Sequence, residues 1–480
     1  MASNTMSKVA SRLRQELGIN SYLNSGPDVH ALMGMRVIRM FAYGSTTLIL
    51  ASFLSDLGHS GAEIGLFMTL TLIGDVIISL LLTLFADRLG RRRILLLGSL
   101  LMAASGLVFW RITNYWLLLL AAIFGVISPS GNEIGPFRAV EESTIAHLTT
   151  EQTRTDIFAL YVVGGTLGTS AGSLVSGFLT QELQSLGFGT TASYQVIFAM
   201  YAMLGFVKAL WSLRLSEDCE VVESREPEES HAALLNGNPP EPAKKTMFQR
   251  SPASQQTVLK LCALFFFDSL ARCVRVLPFN ELLMVGSGMV PASLIAFFIE
   301  RKFLISFAWL GTIIGVCQLL SSFGNILASS VARRIGLIQT MVFTHLPSAI
   351  FLALIPAPTT LWLTVVFLVG RSSLSAMDQA PRSAFLAAVV LPEERTAVMG
   401  IVNIVKTVGQ SAGPTITGIL AAGGHFWIAF VIAGALKASY DLAMLRMFAS
   451  HPVAQARATF TQADELDHVS AHDTEIVPAR

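Results

Sequence analysis

Asp87-Arg88-Leu89-Gly90-Arg91-Arg92-Arg93 is a dense run of charge set between two long apolar segments. Such a run has to sit in water, whereas its flanks, 64–86 and 94–112, are each long enough to cross a hydrocarbon layer about 30 Å thick at about 1.5 Å per residue. The pattern predicts two membrane-spanning helices joined by a tight basic loop. Four arginines in seven residues place that loop on the cytoplasmic side.

Working outward, the 480-residue chain is 52% apolar and only 14% charged, too hydrophobic for an ordinary soluble protein and too long for one buried core. Apolar runs of spanning length fall at 37–55, 64–86, 94–112, 116–145, 155–179, 194–214, 257–298, 305–330, 337–355, 360–389, 396–420 and 425–447. Each must be helical, because an unpaired backbone amide finds no water in lipid. The expected fold class is therefore an all-α membrane protein with twelve transmembrane helices. Between the sixth and seventh runs, 215–256 is rich in Pro, Glu and Ser and reads as a flexible linker. The predicted division is a cytoplasmic N-terminal segment 1–35, a six-helix bundle 36–214, a cytoplasmic linker 215–256, a second bundle 257–447 and a cytoplasmic tail 448–480.

Arg154, Arg333, Arg334 and Arg395 fall on the same side as the basic loop, and the opposite loops 356–359 and 421–424 carry no Lys or Arg. Met1 to His30 lacks an apolar core of the kind a cleaved signal peptide needs, so the first span is expected to act as its own insertion signal. A net charge of +1 without a basic face argues against nucleic acid. Cys219, Cys262, Cys273 and Cys317 have neither disulfide-framework nor zinc spacing, so no cofactor or metal is expected.

An internal repeat supports the division into halves. Ala86-Asp87-Arg88-Leu89-Gly90 is echoed by Ala332-Arg333-Arg334-Ile335-Gly336. Gly168, Ser170-Ala171-Gly172, Gly177 and Leu179 recur at one constant spacing as Gly409, Ser411-Ala412-Gly413, Gly418 and Leu420. Gly205-Phe206-Val207-Lys208-Ala209 answers Gly434-Ala435-Leu436-Lys437-Ala438. The seventh run breaks the symmetry with excess residues around Arg272 to Met289, which read either as an extended or re-entrant segment or as a retained short intron.

The basic loop resembles the signature between the second and third helices of the major facilitator superfamily, Gly-x-Leu-x-Asp-Arg-x-Gly-Arg-Arg-x-x-Leu. Asp87, Arg88, Gly90, Arg91, Arg92 and Leu95 match, while Thr83 and Phe85 stand where the family has Gly and Leu. The likeness covers 36–447 and is similar to members from filamentous fungi. It implies two pseudo-symmetric six-helix bundles that rock about a central site, with Asp87, Arg88, Gly90, Arg91 and Arg92 as a cytoplasmic gating motif. Gly409-x-x-x-Gly413-Pro414 resembles the family's antiporter motif, which belongs on the fifth span, where Gly168-x-x-x-Gly172-Ser173 lacks the Pro.

A charge inside a span costs roughly 2.5–3.5 kcal/mol on insertion scales, so each one needs a partner or a water-filled cavity. Arg371, Asp378 and Arg382 share one face of the tenth span, and Asn403, Lys406 and Gln410 share a stripe of the eleventh. In the fourth span Glu133, Phe137 and Glu141 share a face, and Arg138 can reach Glu141 or Glu142. Arg138 with Glu142, Asp378 with Arg382, Asp268 with Arg272 and Lys437 with Asp441 also read as simple i,i+4 pairs. Asp75 stands alone in the second span. It is the candidate proton relay, because burial favours the neutral form of a carboxyl, and Arg371 and Lys406 suit an anionic group on a substrate. Arg36 and Arg39, at the edge of the first apolar run, read as interface anchors.

No catalytic role is expected, and Gly-x-x-x-x-Gly-Lys-[Ser/Thr] is absent. The expected function is secondary transport of a small organic molecule by alternating access. The first reading is proton-coupled efflux of a secondary metabolite or organic anion, by a monomer in the plasma membrane or an internal one such as the vacuole. The alternatives are uptake of a nutrient or of a metal ion such as copper, for which Met33, Met35 and Met40 are the nearest thing to a thioether cluster, and a transporter-like sensor.

Overall fold

A computed structural model describes residues 19–125, 127, 136–220, 290–377 and 411–448. Every described element is helical: α1 (Ile19–Leu23), α2 (Pro27–Asp56), α3 (Gly61–Leu89), α4 (Arg91–Arg111), α5 (Tyr115–Phe124), α6 (Pro136–Leu148), α7 (Glu151–Ser185), α8 (Thr190–Ser212), a 3-10 turn η1 (Glu217–Cys219), α9 (Ala292–Phe303), α10 (Phe307–Ile335), α11 (Leu337–Leu354), α12 (Leu361–Ser375), α13 (411–422) and α14 (Phe426–Phe448). Each apolar run overlaps one of these, except that the fourth is divided between α5 and α6. Six described helices are long and apolar enough to cross a membrane. Trp116, Leu210, Trp309, Phe323, Phe343 and Trp362 are exposed, the distribution expected where lipid rather than water is the solvent.

Apolar burial alone does not hold helices together in lipid; close packing of small residues and interhelical hydroxyl bonds do. The α2–α7 contact shows both: a Cβ on Gly172 would stand 2.0 Å from the Phe41 carbonyl oxygen. Ser173 and Ser176 donate to the carbonyls of Gly44 and Ser45 at 3.2 and 2.9 Å. At the far end, Phe53, Phe67, Phe109 and Phe198 form a buried aromatic cluster with ring centroids 4.7–6.4 Å apart.

The internal repeat is visible in three dimensions. Gly90 and Gly336, matched positions, carry φ of 85° and 94° at the two short turns α3–α4 and α10–α11, a region open to Gly without strain. Gly205 of α8 lies against Ala103 of α4, and its counterpart Gly434 of α14 lies against Ala349 of α11. Beside these contacts Ser99 faces Ser212 at 3.4 Å, where the matched positions of the second half hold His345 and Asp441 at 2.9 Å.

The two halves cross at two places related by the same repeat. A Cβ on Gly65 (α3) would lie 2.3 Å from the carbonyl oxygen of Pro414 (α13), and one on Gly311 (α10) 2.4 Å from that of Ser173 (α7). The reciprocal glycines, Gly418 and Gly177, would meet the carbonyls of Gly61 and Phe307 at 2.2 and 2.3 Å. Thr69 donates to the Ser411 carbonyl at 2.5 Å and Ser170 to that of Gly315 at 2.9 Å, at equivalent levels of the two crossings. A third contact joins α2 to α9, where Ser52 donates to Glu300 and Arg301 donates to Ser55 at 2.6 Å. All of these lie in the half of the molecule away from the basic loop.

Candidate functional site

On α3 the exposed residues Leu66, Ile73 and Ile77 mark the lipid side. Asp75, in the middle of the helix, lies on the opposite side. It is only 5% exposed, and its Oδ1 has no hydrogen-bond partner. Tyr43 of α2 is likewise buried and lies within electrostatic reach of it.

In the second half the described candidate is Arg371, on α12. Trp362, Leu363 and Val366 are the exposed face of α12, whereas Thr364 and Leu368 are buried. Arg371 falls on the buried side, with its Nε enclosed and lacking an acceptor. Its charge reaches Cys317 of α10, and its carbonyl accepts from Ser348 of α11 at 3.2 Å.

A larger set of ionised groups fills the first half nearer the basic loop. Glu141 of α6, with no exposed area, accepts at Oε2 from Arg39 of α2 at 2.6 Å and from the Tyr161 hydroxyl of α7 at 2.8 Å. Lys208 of α8 stands 3.5 Å from Oε1. Arg36, one turn before Arg39, places its guanidinium 4.4 Å from the centre of the Tyr161 ring, at cation–π distance. Four helices are thus tied together by one carboxylate. In the second half His345 of α11 meets both carboxylate oxygens of Asp441 of α14 at 2.9 Å, and Lys437, the repeat partner of Lys208, is buried one turn away.

Residues 32–283 and 279–465 match the family model described as Major Facilitator Superfamily. The chain belongs to that superfamily. Among curated sequences it is 35% identical over 438 residues to the uncharacterized membrane protein YJR124C of Saccharomyces cerevisiae, covering 88% of this chain and 94% of that one. Among solved structures it is similar to the nucleoside transporter NupG (16% identity, TM-score 0.65, 88% of this chain and 99% of that one). It is also similar to the inward-open xylose transporter XylE from E. coli (12% identity, TM-score 0.64, 90% and 99%). At such identities the likeness shows the fold alone.

The superfamily signature loop is held from an unexpected direction. Helix α3 runs through Asp87 and Arg88 to Leu89, Gly90 makes the turn, and α4 begins at Arg91. Glu220, just past η1, accepts the backbone N–H groups of Arg91 and Arg92 at 2.7 and 3.1 Å. A carboxylate at a helix N-terminus satisfies amides that have no partner within the helix and meets the positive end of its dipole. Ser216 in turn donates to Asp28 of α2 at 2.5 Å, so the segment leaving α8 is stitched across the basic side of the first half. Cys219 is sealed beneath it, and burial, with Asp28 nearby, pushes its thiol up to about 12.

Of the candidates read from the sequence, Arg138 and Glu142 form the expected i,i+4 pair at 2.6 Å, half-exposed, as a local structural contact. Glu133, Asp378, Arg382, Asn403, Lys406, Gln410, Asp268 and Arg272 lie outside the described residues. The reading of Arg36 and Arg39 as interface anchors is corrected: both are buried, at 5% and 2% exposure. Their helix starts at Pro27, ten residues before the apolar run, with Pro at its first turn and Asp28 beside it, so both arginines sit well inside it. Lys208 was visible in the sequence only as a repeat position, although a lysine deep in an apolar run is itself a signal. Among the described residues no three His, Cys, Asp or Glu side chains form a group that could hold a metal.

Proposed function

We propose that this chain is a secondary transporter that carries a small organic molecule across the membrane by alternating access, driven by protons, with efflux as its direction. The single observation that carries the proton assignment is Asp75: mid-helix, turned away from lipid, buried, and with one carboxylate oxygen unsatisfied. An ionised carboxylate there would lack the partner that burial demands, so the group is suited to hold and release a proton as the cavity wets and dries. Arg371, its guanidinium likewise without an acceptor at Nε, suits an anionic group on the cargo, since a planar fork of donors matches a carboxylate. Asn403, Lys406 and Gln410 are proposed to line the same path.

The halves are 36–214 and 257–447, joined by the cytoplasmic linker 215–256, with the basic loop on the cytoplasmic side and the chain working as a monomer in the plasma membrane. In this arrangement the described contacts between halves seal the non-cytoplasmic side.

The test is flux of a labelled panel of organic anions and neutral metabolites in vesicles, with and without an imposed pH gradient. Gradient-driven flux is expected to vanish in Asp75→Asn while exchange without a gradient persists. Undiminished gradient-driven flux in Asp75→Asn would remove the proton assignment. Absence of any saturable flux from a broad panel would remove transport itself.

A further inference from the structure

Asp75 and Arg371 are both left incomplete. Among the described residues neither has an ion-pair partner, and Asp75 Oδ1 and Arg371 Nε are enclosed without a hydrogen bond. They carry opposite charge and lie in opposite halves. The internal repeat also puts them at one depth. Gly65 and Gly90 of α3 answer Gly311 and Gly336 of α10 at a single offset, so the two helices share a register and Asp75 is matched by Ser321. Each of these lies ten residues past its crossing glycine, about 15 Å along the helix. Ser321 donates to the carbonyl of Ser372 at 2.7 Å, and Ser372 is the neighbour of Arg371, so Arg371 stands at the level of Asp75. Ser322, next to Ser321, has an enclosed hydroxyl without a partner, a further donor at that level. The face of α3 that carries Asp75 is turned to the second half: Met68, two turns earlier on that face, accepts at its sulfur from Ser293 of α9 at 3.5 Å.

A buried charge without a partner is costly, and these two do not relieve one another. A cargo with a single charge would satisfy one of them and meet a like charge at the other. We infer that the cargo is zwitterionic, a small molecule of the amino-acid kind, whose ammonium group is held by Asp75 of the first half and whose carboxylate is held by Arg371 of the second. This deepens, and rests on, the reading of the two residues as lining the transport path. Asp75 releases its proton to water as the ammonium group arrives, so one carboxylate serves proton and cargo in turn. The guanidinium fork takes the carboxylate. Because the two contacts belong to different halves, a cargo lacking either group is held by one half alone.

The test is binding to the full chain at fixed pH with no gradient, read as ligand-dependent stabilisation against unfolding. The probes are the straight-chain amino acids from glycine to 8-aminooctanoate, with alanine, leucine and phenylalanine. Each is set beside the counterpart lacking the amine and the counterpart lacking the carboxylate. At least one zwitterion is expected to bind tenfold or more tighter than both of its counterparts. In Asp75→Asn its affinity should fall to that of the acid, and in Arg371→Gln to that of the amine. If no zwitterion outbinds both counterparts in the wild-type chain, the inference is overturned, and this arm needs no variant to fold. Acids that bind as tightly as the zwitterions, and equally well in Asp75→Asn, would overturn it while leaving Arg371 as the site of an anionic cargo. A zwitterion preference that survives both substitutions would overturn the assignment to these residues. An intact preference that depends on Asp75, together with undiminished gradient-driven flux in Asp75→Asn, would support the cargo class and strike only the proton assignment.

Discussion

Gly65→Ala tests whether closure between the halves depends on backbone meeting backbone. A Cβ at Gly65 would stand 2.3 Å from the Pro414 carbonyl oxygen and 3.0 Å from Gly418 Cα, against an ordinary contact distance of at least 3.4 Å. Both neighbours are main chain, so nothing can rotate aside, and α3 and α13 must part by about 1 Å. Overpacking of this kind costs about 1–3 kcal/mol, which disfavours the observed arrangement by about 5- to 150-fold. Alanine is the better helix former by roughly 1 kcal/mol, so lost helix propensity cannot account for the change. The assay is the rate at which an impermeant maleimide reaches Ser52→Cys at the α2–α9 contact, in vesicles containing the full chain. The rate should rise by that factor in Gly65→Ala, and again in Gly311→Ala, whose Cβ would meet the Ser173 carbonyl in the same way. Unchanged labelling in both folded variants would refute the assignment of these crossings as the closing contacts.

Further outcomes are expected elsewhere in the chain. Arg39→Met removes the closest cation from a fully buried carboxylate and should cost about 3–5 kcal/mol in detergent-phase unfolding. Arg371→Ala should abolish saturable flux of an anionic cargo, whereas Arg371→Lys keeps the charge and loses the fork, retaining a fraction of it. Glu220→Ala should cost about 0.5–2 kcal/mol as a lost helix cap, visible as faster hydrogen exchange at the amides of Arg91 and Arg92. Because burial pushes the Cys219 thiol up to about 12, its thiolate is scarce at neutral pH. Alkylation should be roughly a thousandfold slower than for a free thiol and should climb steadily with pH; Asp28→Asn, which removes a neighbouring negative charge, should speed it.

The spans were legible because lipid leaves a chain few choices: an apolar run long enough to cross must be helical, and the basic loops between runs must stay in water. The repeat was legible for a similar reason, since Gly177 and Gly418 occupy places where a side chain does not fit. Local pairing was legible too, as Arg138 and Glu142 are four residues apart on one helix. The ionised centre was not. Arg39 and Glu141 are separated by 102 residues, and no spacing rule reports which distant helices will meet. The start of α2 was misjudged because Pro27 and Asp28 begin the helix in polar sequence, before hydropathy gives any sign of it. That error alone put Arg36 and Arg39 at the membrane edge, where the structure has them buried among the helices.

The paired glycine crossings also constrain how the molecule can move. Two stiff bodies that meet at two bare spots, with the α2–α9 contact as a third, resemble a plank resting on a pair of pivots, expected to tip about the line through them and to be resisted in sliding or twisting by the hydroxyl bonds of Thr69 and Ser170 alongside. Because duplication copied one such pivot into both places, the tilt it permits is the same seen from either half. A see-saw with this geometry has one easy motion, and loading either end decides which way it leans.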